Sequence, residues 1–399
     1  MMSKTLTRNL RRSFGTRMMP KQTQLFIDGK WVNSANEGIF ETINPYTAES
    51  ITSVQRASVE DVDRAVDAAR KAFDNGPWRR TSASERGDLL FKLSHLVKQN
   101  SEELEYLEAL GNGKSVNVAT AGCTVVMKTA EQTPLSALRV GELIKEAGFP
   151  DGVVNILSGF GEDAGAHLVR HPGVDKVAFT GSTEVGLNIM RNSSISGLKR
   201  VTLELGGKSP FIICKDANIE ESIQQANFAL FFNSGQVCIA ASRLFVHEKI
   251  YDEFAEKSAK LASKAVLGNG LDPNTTQGPQ ISKEQQDKIW GYIQKGKQEG
   301  ASCLTGGEEY EANNTEYGLA AGVVTQDIGR AFHIVNGLRV GIVFVNSYHS
   351  NDITCPFGGF KNSGIGRENG ITGYDPYLDT KTVIMSRPEV SISQLIFEI

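Results

Sequence analysis

No acidic residue precedes Asp28 in this 399-residue chain. The first nineteen residues, MMSKTLTRNLRRSFGTRMM, carry five basic and five hydroxyl-bearing side chains but no long apolar stretch. A secretory signal needs that stretch and is excluded; an Arg- and Ser-rich, acid-free segment reads as a mitochondrial transit peptide, with a plain basic tail as the alternative. Apolar runs long enough to cross a bilayer are also missing, so no membrane span is expected. The five cysteines, at 123, 214, 238, 303 and 355, form no C-x-x-C pair. That excludes a disulfide framework or a zinc ribbon and suits a reducing compartment. Excess positive charge is lacking too. Beyond residue 19 there remain 37 basic residues against 46 acids, a net charge of −9. A general nucleic-acid binder is therefore not expected.

What is present is ordinary globular sequence, 40% hydrophobic and 22% charged, long enough for two or three domains. LFIDGKWV reads as a hairpin turning at Asp28-Gly29. From Ser58 to Phe73, apolar residues recur at helical spacing behind an N-cap serine and two first-turn acids, Glu60 and Asp61. Helices over about 82–100 and 101–110 follow, the second closed by Gly111. From Thr124 the pattern alternates: TVVMK, a helix from Pro134 to Gly148, VVNIL, a helix near 162–170, DKVAF, a helix near 183–191, RVTLEL and FIIC. Strand and helix alternating in this way predict an α/β domain with a parallel sheet, and ligands bind outside the carboxyl ends of such strands.

Two turns are candidates for a dinucleotide. Gly159 and Gly161 follow a strand, but the next glycine is Gly165, one position late for G-x-G-x-x-G, so ordinary turn glycines are the better reading. FTGSTEVG places Gly181-Ser182 between a strand and a helix, where free N–H groups and the positive helix end suit pyrophosphate. His247-Glu248 lacks the second histidine of a zinc motif, since position 251 is Tyr; no metal is expected.

Three stretches, VTLELGGKSP (201–210), FFNSGQVC (231–238) and PFGGFKNSGIGRENG (356–370), resemble the aldehyde dehydrogenase superfamily. KTAEQTPLSAL (128–138) and DKVAFTGSTEVG (175–186) extend the likeness, which runs from about residue 23 to about 384. The 34 positions from Glu204 to Cys238 also match the family interval. The resemblance implies an NAD-dependent oxidation of a small aldehyde to a carboxylic acid. It makes Cys238 the nucleophile that forms a thiohemiacetal and then a thioester, and Glu204 the base that activates water. It assigns the adenosine ribose to Lys128 and Glu131, where a carboxylate favours NAD over NADP. It assigns the pyrophosphate turn to Gly181 and Ser182, close helix packing to Gly186, and further cofactor contact to Leu205 and Gly206. It implies the family's α/β fold: a transit peptide at 1–19, a Rossmann-type NAD-binding domain at 20–205, a catalytic domain at 206–375 and an arm or tail at 376–399. A homo-oligomer, dimer or tetramer, in the mitochondrial matrix is the corresponding expectation. Lys361 and Arg367 read as structural, and Cys123, Cys214, Cys303 and Cys355 as inert thiols.

Two family segments are lacking. Near 115–122 several dozen residues are absent, with the first strand of the cofactor sheet and the Pro-Trp-Asn motif whose Asn steadies the oxyanion. The chain's one Pro-Trp, Pro77-Trp78, is followed by Arg79. Near 308–313 the Glu-x-Phe-Gly-Pro stretch that holds the nicotinamide ribose is gone. One lost oxyanion donor typically costs on the order of 10²–10³ in rate. The alternatives to a working enzyme are a catalytically impaired relative kept for a structural or interaction role, and a shortened splice or gene-model form. A central strand removed from a sheet also leaves unpaired ladder groups behind it.

Overall fold

The computed structural model describes residues 21–110, 122–300, 315–350 and 352–383. The segment read as a transit peptide, the expected Gly111 cap, Cys303, most of both junctions read as shortened and the tail after Val383 lie outside the described residues.

The chain opens with β1 (Leu25–Ile27) and β2 (Lys30–Val32), paired antiparallel across Asp28 and Gly29, which take φ of 51° and 69°. Two successive positive dihedrals are what a tight right-twisted hairpin demands, and Asp-Gly meets it at low cost. A separate hairpin joins β3 (Ile39–Ile43) and β4 (Ser50–Gln55). The helix Val59–Asp74 then starts at Ser58, whose side chain accepts from the Asp61 N–H while Asp61 accepts from the Ser58 N–H. This capping box fixes the helix start, and Val62, Ala65, Val66 and Ala69 turn its apolar stripe inward. Helices Ala83–Gln99 and Ser101–Leu110 follow. Trp78, which is buried, donates its indole N–H to the Gly122 carbonyl at 2.9 Å and so ties the helical layer to the entry of the next strand.

β5 (Val125–Lys128) and β6 (Val154–Leu157) run parallel and flank the helix Leu135–Ala147, which ends on Gly148 at φ 93°. Their sheet has the order β2-β1-β6-β5. Phe26, Trp78, Leu138, Leu143 and Ile156 form the core beneath it. β7 (Lys176–Thr180) and β8 (Arg200–Glu204), joined by the helix Thr183–Ser193, are also parallel but belong to another sheet, in which β8 lies between β7 and β15 (Gly364–Ile365). A thinner core of Val169, Ile189, Leu203 and Leu205 lies there. The alternating region therefore does not form one continuous sheet. β5 ends one sheet and β7 ends the other, each with one ladder edge unpaired among the described residues. Neither strand is fully buried, whereas parallel strands are ordinarily covered on both faces.

The third sheet, β10-β9-β12-β13, comprises β9 (Pro210–Ile213), β10 (Arg243–Val246), β12 (Ala320–Val324) and β13 (Ile342–Val345), all parallel. It is packed around Phe211, Phe254, Leu319 and Phe344. A short pair, β11 (Tyr317–Gly318) with β14 (Phe360–Lys361), completes this half. β15 (Gly364–Ile365) returns to pair antiparallel with the end of β8, Gly364 opposite Glu204. No described helix is long and apolar enough to cross a membrane.

Candidate active site

The geometry begins with the loop that carries Cys238. The helix Ile219–Phe231 stops where Asn233, Ser234 and Gly235 take φ of 52°, 56° and 75° in succession. Three left-handed residues in a row reverse the chain within one turn, and they are held by contacts outside it. Ser234 donates to the Gly278 carbonyl at 3.0 Å, Gln280 donates to the Ser234 carbonyl at 3.3 Å, and the Ile281 N–H donates to the Gln236 side chain at 3.1 Å. Cys238 follows, half-buried against the apolar core of the third sheet. Tyr348, buried beside it, donates its hydroxyl to the Ile239 carbonyl at 2.9 Å, and burial raises its phenol to about 12. A Cβ on Gly235 carries the usual left-handed penalty, so Gly235→Ala should lower stability by about 1 kcal/mol. Its urea midpoint, compared with that of the parent chain, checks this.

Glu204 ends β8 and is enclosed by glycines. Its carbonyl accepts the Gly181 N–H at 3.0 Å. A Cβ on Gly358 would sit 2.8 Å from its Oε1, and one on Gly207 would sit 2.5 Å from the Cys238 carbonyl oxygen. Close approach of backbones is what these glycines allow, and it brings the Glu204 strand against the Cys238 loop. The Glu204 Oε2 is buried with no hydrogen-bond partner among the described residues. Burial first, and the neighbouring Glu368 second, raise its carboxyl to about 8, against the opposing pull of Arg367. A carboxyl poised near the working pH is what a general base requires.

Behind Glu204 lies a polar chain that sequence reasoning did not single out. Lys176 donates to the Thr202 hydroxyl at 2.8 Å, and Thr202 donates to Glu368 at 3.3 Å. The Tyr377 hydroxyl reaches the same Glu368 oxygen at 3.4 Å, and its ring lies 3.6 Å from the Lys176 ammonium. Burial lowers Lys176 to about 8, with Glu368 opposing. All of these residues except Tyr377 fall inside the quoted stretches. Their alternation within partly buried strands gave no sign that Thr202 and Lys176 face one another. Arg367 donates to the Gly359 and Gly366 carbonyls at 3.1 and 2.7 Å, which is the structural part expected of it.

The prospective cofactor residues sit at the carboxyl ends of the strands on both sides of the sheet break. Lys128, the last residue of β5, pairs with Glu131 at 3.3 Å and reaches the Gly159 carbonyl at 3.4 Å. Across the break, Ser182 caps the helix Thr183–Ser193 by accepting from the Val185 N–H at 3.2 Å. Gly181 is covered by the Phe179 ring, which would lie 2.4 Å from a Cβ there, and its N–H is committed to Glu204. Gly186 packs on Leu205, whose Cδ2 would lie 2.7 Å from an added Cβ, and the Gly206 carbonyl accepts from Ser363 at 2.7 Å. This arrangement of ribose-type polar groups on one side and a helix N-terminus on the other fits a dinucleotide. A cavity of about 620 Å³ lined by Arg56, Ser58, Asp163, His167 and Arg170 touches none of these residues. The Asp63, His167 and His171 cluster beside it is a hydrogen-bonded set. Because the His171 Nδ1 accepts from the Gly173 N–H at 3.0 Å, its Nε2 carries the proton and donates to Asp63 at 3.3 Å.

Comparison with known proteins agrees with this geometry. The aldehyde dehydrogenase family model matches residues 31–121, 116–312 and 310–383. The human mitochondrial aldehyde dehydrogenase is 41% identical over 477 residues, covering 92% of this chain and 92% of that protein. An aldehyde dehydrogenase of Alternaria alternata is 40% identical over 471 residues, covering 90% and 95%. Among solved structures, the NAD+ complex of an aldehyde dehydrogenase from Bacillus cereus superposes with a TM-score of 0.87 at 35% identity, covering 96% of this chain and 98% of that one. With the family's match running almost end to end and its fold retained, this chain belongs to the aldehyde dehydrogenase family.

Proposed function

We propose that the chain oxidises a small aldehyde to a carboxylic acid with NAD, Cys238 acting as nucleophile and Glu204 as base. The observation that carries this reading is the half-buried Glu204 carboxyl, raised to about 8 and with one buried oxygen that has no hydrogen-bond partner among the described residues, three positions before Gly207, which packs on the Cys238 carbonyl. The Cys238 thiolate adds to the carbonyl carbon, and the carbonyl oxygen becomes an alkoxide. NAD, when bound, supplies the acceptor for the hydrogen and electron pair that leave this carbon. What remains on Cys238 is a thioester. Glu204 takes a proton from water, the hydroxyl adds to the thioester carbon, and the C–S bond breaks to release the acid and the thiolate. Lys128 and Glu131 would hold the adenosine ribose, and the first turn of Thr183–Ser193 the pyrophosphate, with Gly186, Leu205 and Gly206 shaping the floor.

Residues 20–205 then serve the cofactor, 206–375 the chemistry, and 376–399 an arm or tail. Mitochondrial placement is supported by the acid-free leader and by relatives named as mitochondrial. A homo-oligomer is the assembly that we infer. Alignments of 477 residues to a chain of 399 require gaps in this chain, which supports the reading of lost internal segments. The test is NADH formation from NAD and a short aliphatic aldehyde; a folded protein that forms none contradicts the proposal.

The base also sets a pH dependence. Glu204 acts only when ionised, and with Glu368, Arg367 and, through Thr202, Lys176 around it, it ionises near 8. Thioester hydrolysis is therefore expected to rise about tenfold per pH unit below 8 and to level off above it. A stopped-flow profile flat from pH 6 to 9 would contradict this assignment.

A further inference from the structure

The two ladder edges left open among the described residues have a common starting point. Cys123, two residues before β5, places its Sγ 3.7 Å from the Tyr377 carbonyl oxygen. Lys176, the first residue of β7, lies 3.6 Å from the ring of the same tyrosine. Tyr377 thus stands between the leading ends of β5 and β7. There too the chain leaves the described fold: Arg200, the first residue of β8, donates to the Leu378 carbonyl at 2.5 Å and pairs with Asp379, after which Lys381–Val383 are exposed.

Sixteen residues follow Val383, and the last ten are VSISQLIFEI. Six of these are Val, Ile, Leu or Phe; none is Gly or Pro, and Leu395-Ile396-Phe397 is a continuous apolar run. That composition, rich in β-branched and aromatic residues, suits a strand. An apolar run of this kind is a liability when its backbone is unpaired. Entering from the leading ends of β5 and β7, such a segment runs parallel to both. The ten residues 380–389, between Asp379 and Val390, reach about 35 Å if extended, enough to enter the gap from its leading end.

We propose that residues 390–399 of the same chain occupy the gap between β5 and β7, pairing with both edges and joining the two sheets into one. The segment has no counterpart in the family resemblance, and the gap lies where a strand of that resemblance is lacking, so the two departures compensate each other. The rival occupants are the tail of a second copy and a strand from another protein.

Hydrogen–deuterium exchange with mass spectrometry tests this on the full chain, on a chain ending at Val383, and on the full-length Ile396→Pro variant, whose substitution removes one ladder donor from the proposed strand. In the full chain, the amides of 125–128 and 176–180 should exchange at least about tenfold more slowly than in either variant, independently of protein concentration. The β9 and β12 amides serve as the internal control and should change little. Should the shortened chain fail to fold, the Ile396→Pro comparison decides alone. Equal exchange in the full chain and the proline variant overturns the proposal. Protection that disappears on dilution together with a dimer assigns the gap to a second copy and overturns it as well.

Discussion

Cys238→Ala is expected to lower NADH formation by at least about 10⁴-fold while leaving the fold intact. Covalent attachment converts an aldehyde into an alkoxide able to expel the hydrogen with its electron pair, and no other described side chain is placed to substitute for the thiolate. Removing a nucleophile that works as a unit with its base typically costs on that order or more. The substitution removes one sulfur from a half-buried position beside Val237 and Ile239, so only a small cavity is created. Far-UV circular dichroism and the thermal midpoint should stay near those of the parent chain, while steady-state turnover disappears. Unchanged turnover would remove Cys238 from the mechanism.

Glu204→Gln separates the two halves of the reaction. The amide keeps the shape of the side chain but cannot take a proton from water, so thioester hydrolysis should slow by about 10²–10⁴-fold. Acylation does not need that base in the same way. A rapid burst of NADH, approaching one per Cys238, should therefore persist when steady-state turnover has collapsed. Because the parent carboxyl is already held near 8 by burial and by Glu368, the amide costs little in desolvation, and the variant should fold as well as the parent. Loss of the burst along with turnover would mean that Glu204 acts earlier, in activating the thiol.

Much of the fold was legible in the sequence because local rules and global fold agree there. Ser58 with Asp61, Pro134 with Gly148, and Asp28-Gly29 each mark a boundary by their own chemistry, and the structure has its helices and hairpin there. Gly207 and Gly358 explain in steric terms why the glycine-rich stretches surround Glu204. The region 162–170 was expected as one helix, but Gly161–Gly165 forms a wider turn before Ala166–Arg170, consistent with two glycines in five residues weakening the helix. The Gly181 N–H bonds to the Glu204 carbonyl, a contact between neighbouring strand ends that no local pattern announces. The chain Lys176–Thr202–Glu368 was illegible for the same reason: it joins neighbouring strands and a segment 166 positions away. The division of the alternating region into two sheets among the described residues is announced by no residue pattern. Strand propensity alone counts β5 and β7 as ordinary strands.

The central claim is that Cys238 carries the acyl group and Glu204 removes it. The most direct measurement is peptide mass spectrometry of the Glu204→Gln chain, quenched in acid after incubation with NAD and propanal. The account predicts a propanoyl group on the peptide containing Cys238, accumulating in step with NADH and absent when NAD is withheld. NADH production with no acyl group on that peptide, or with the group on another cysteine, would contradict it.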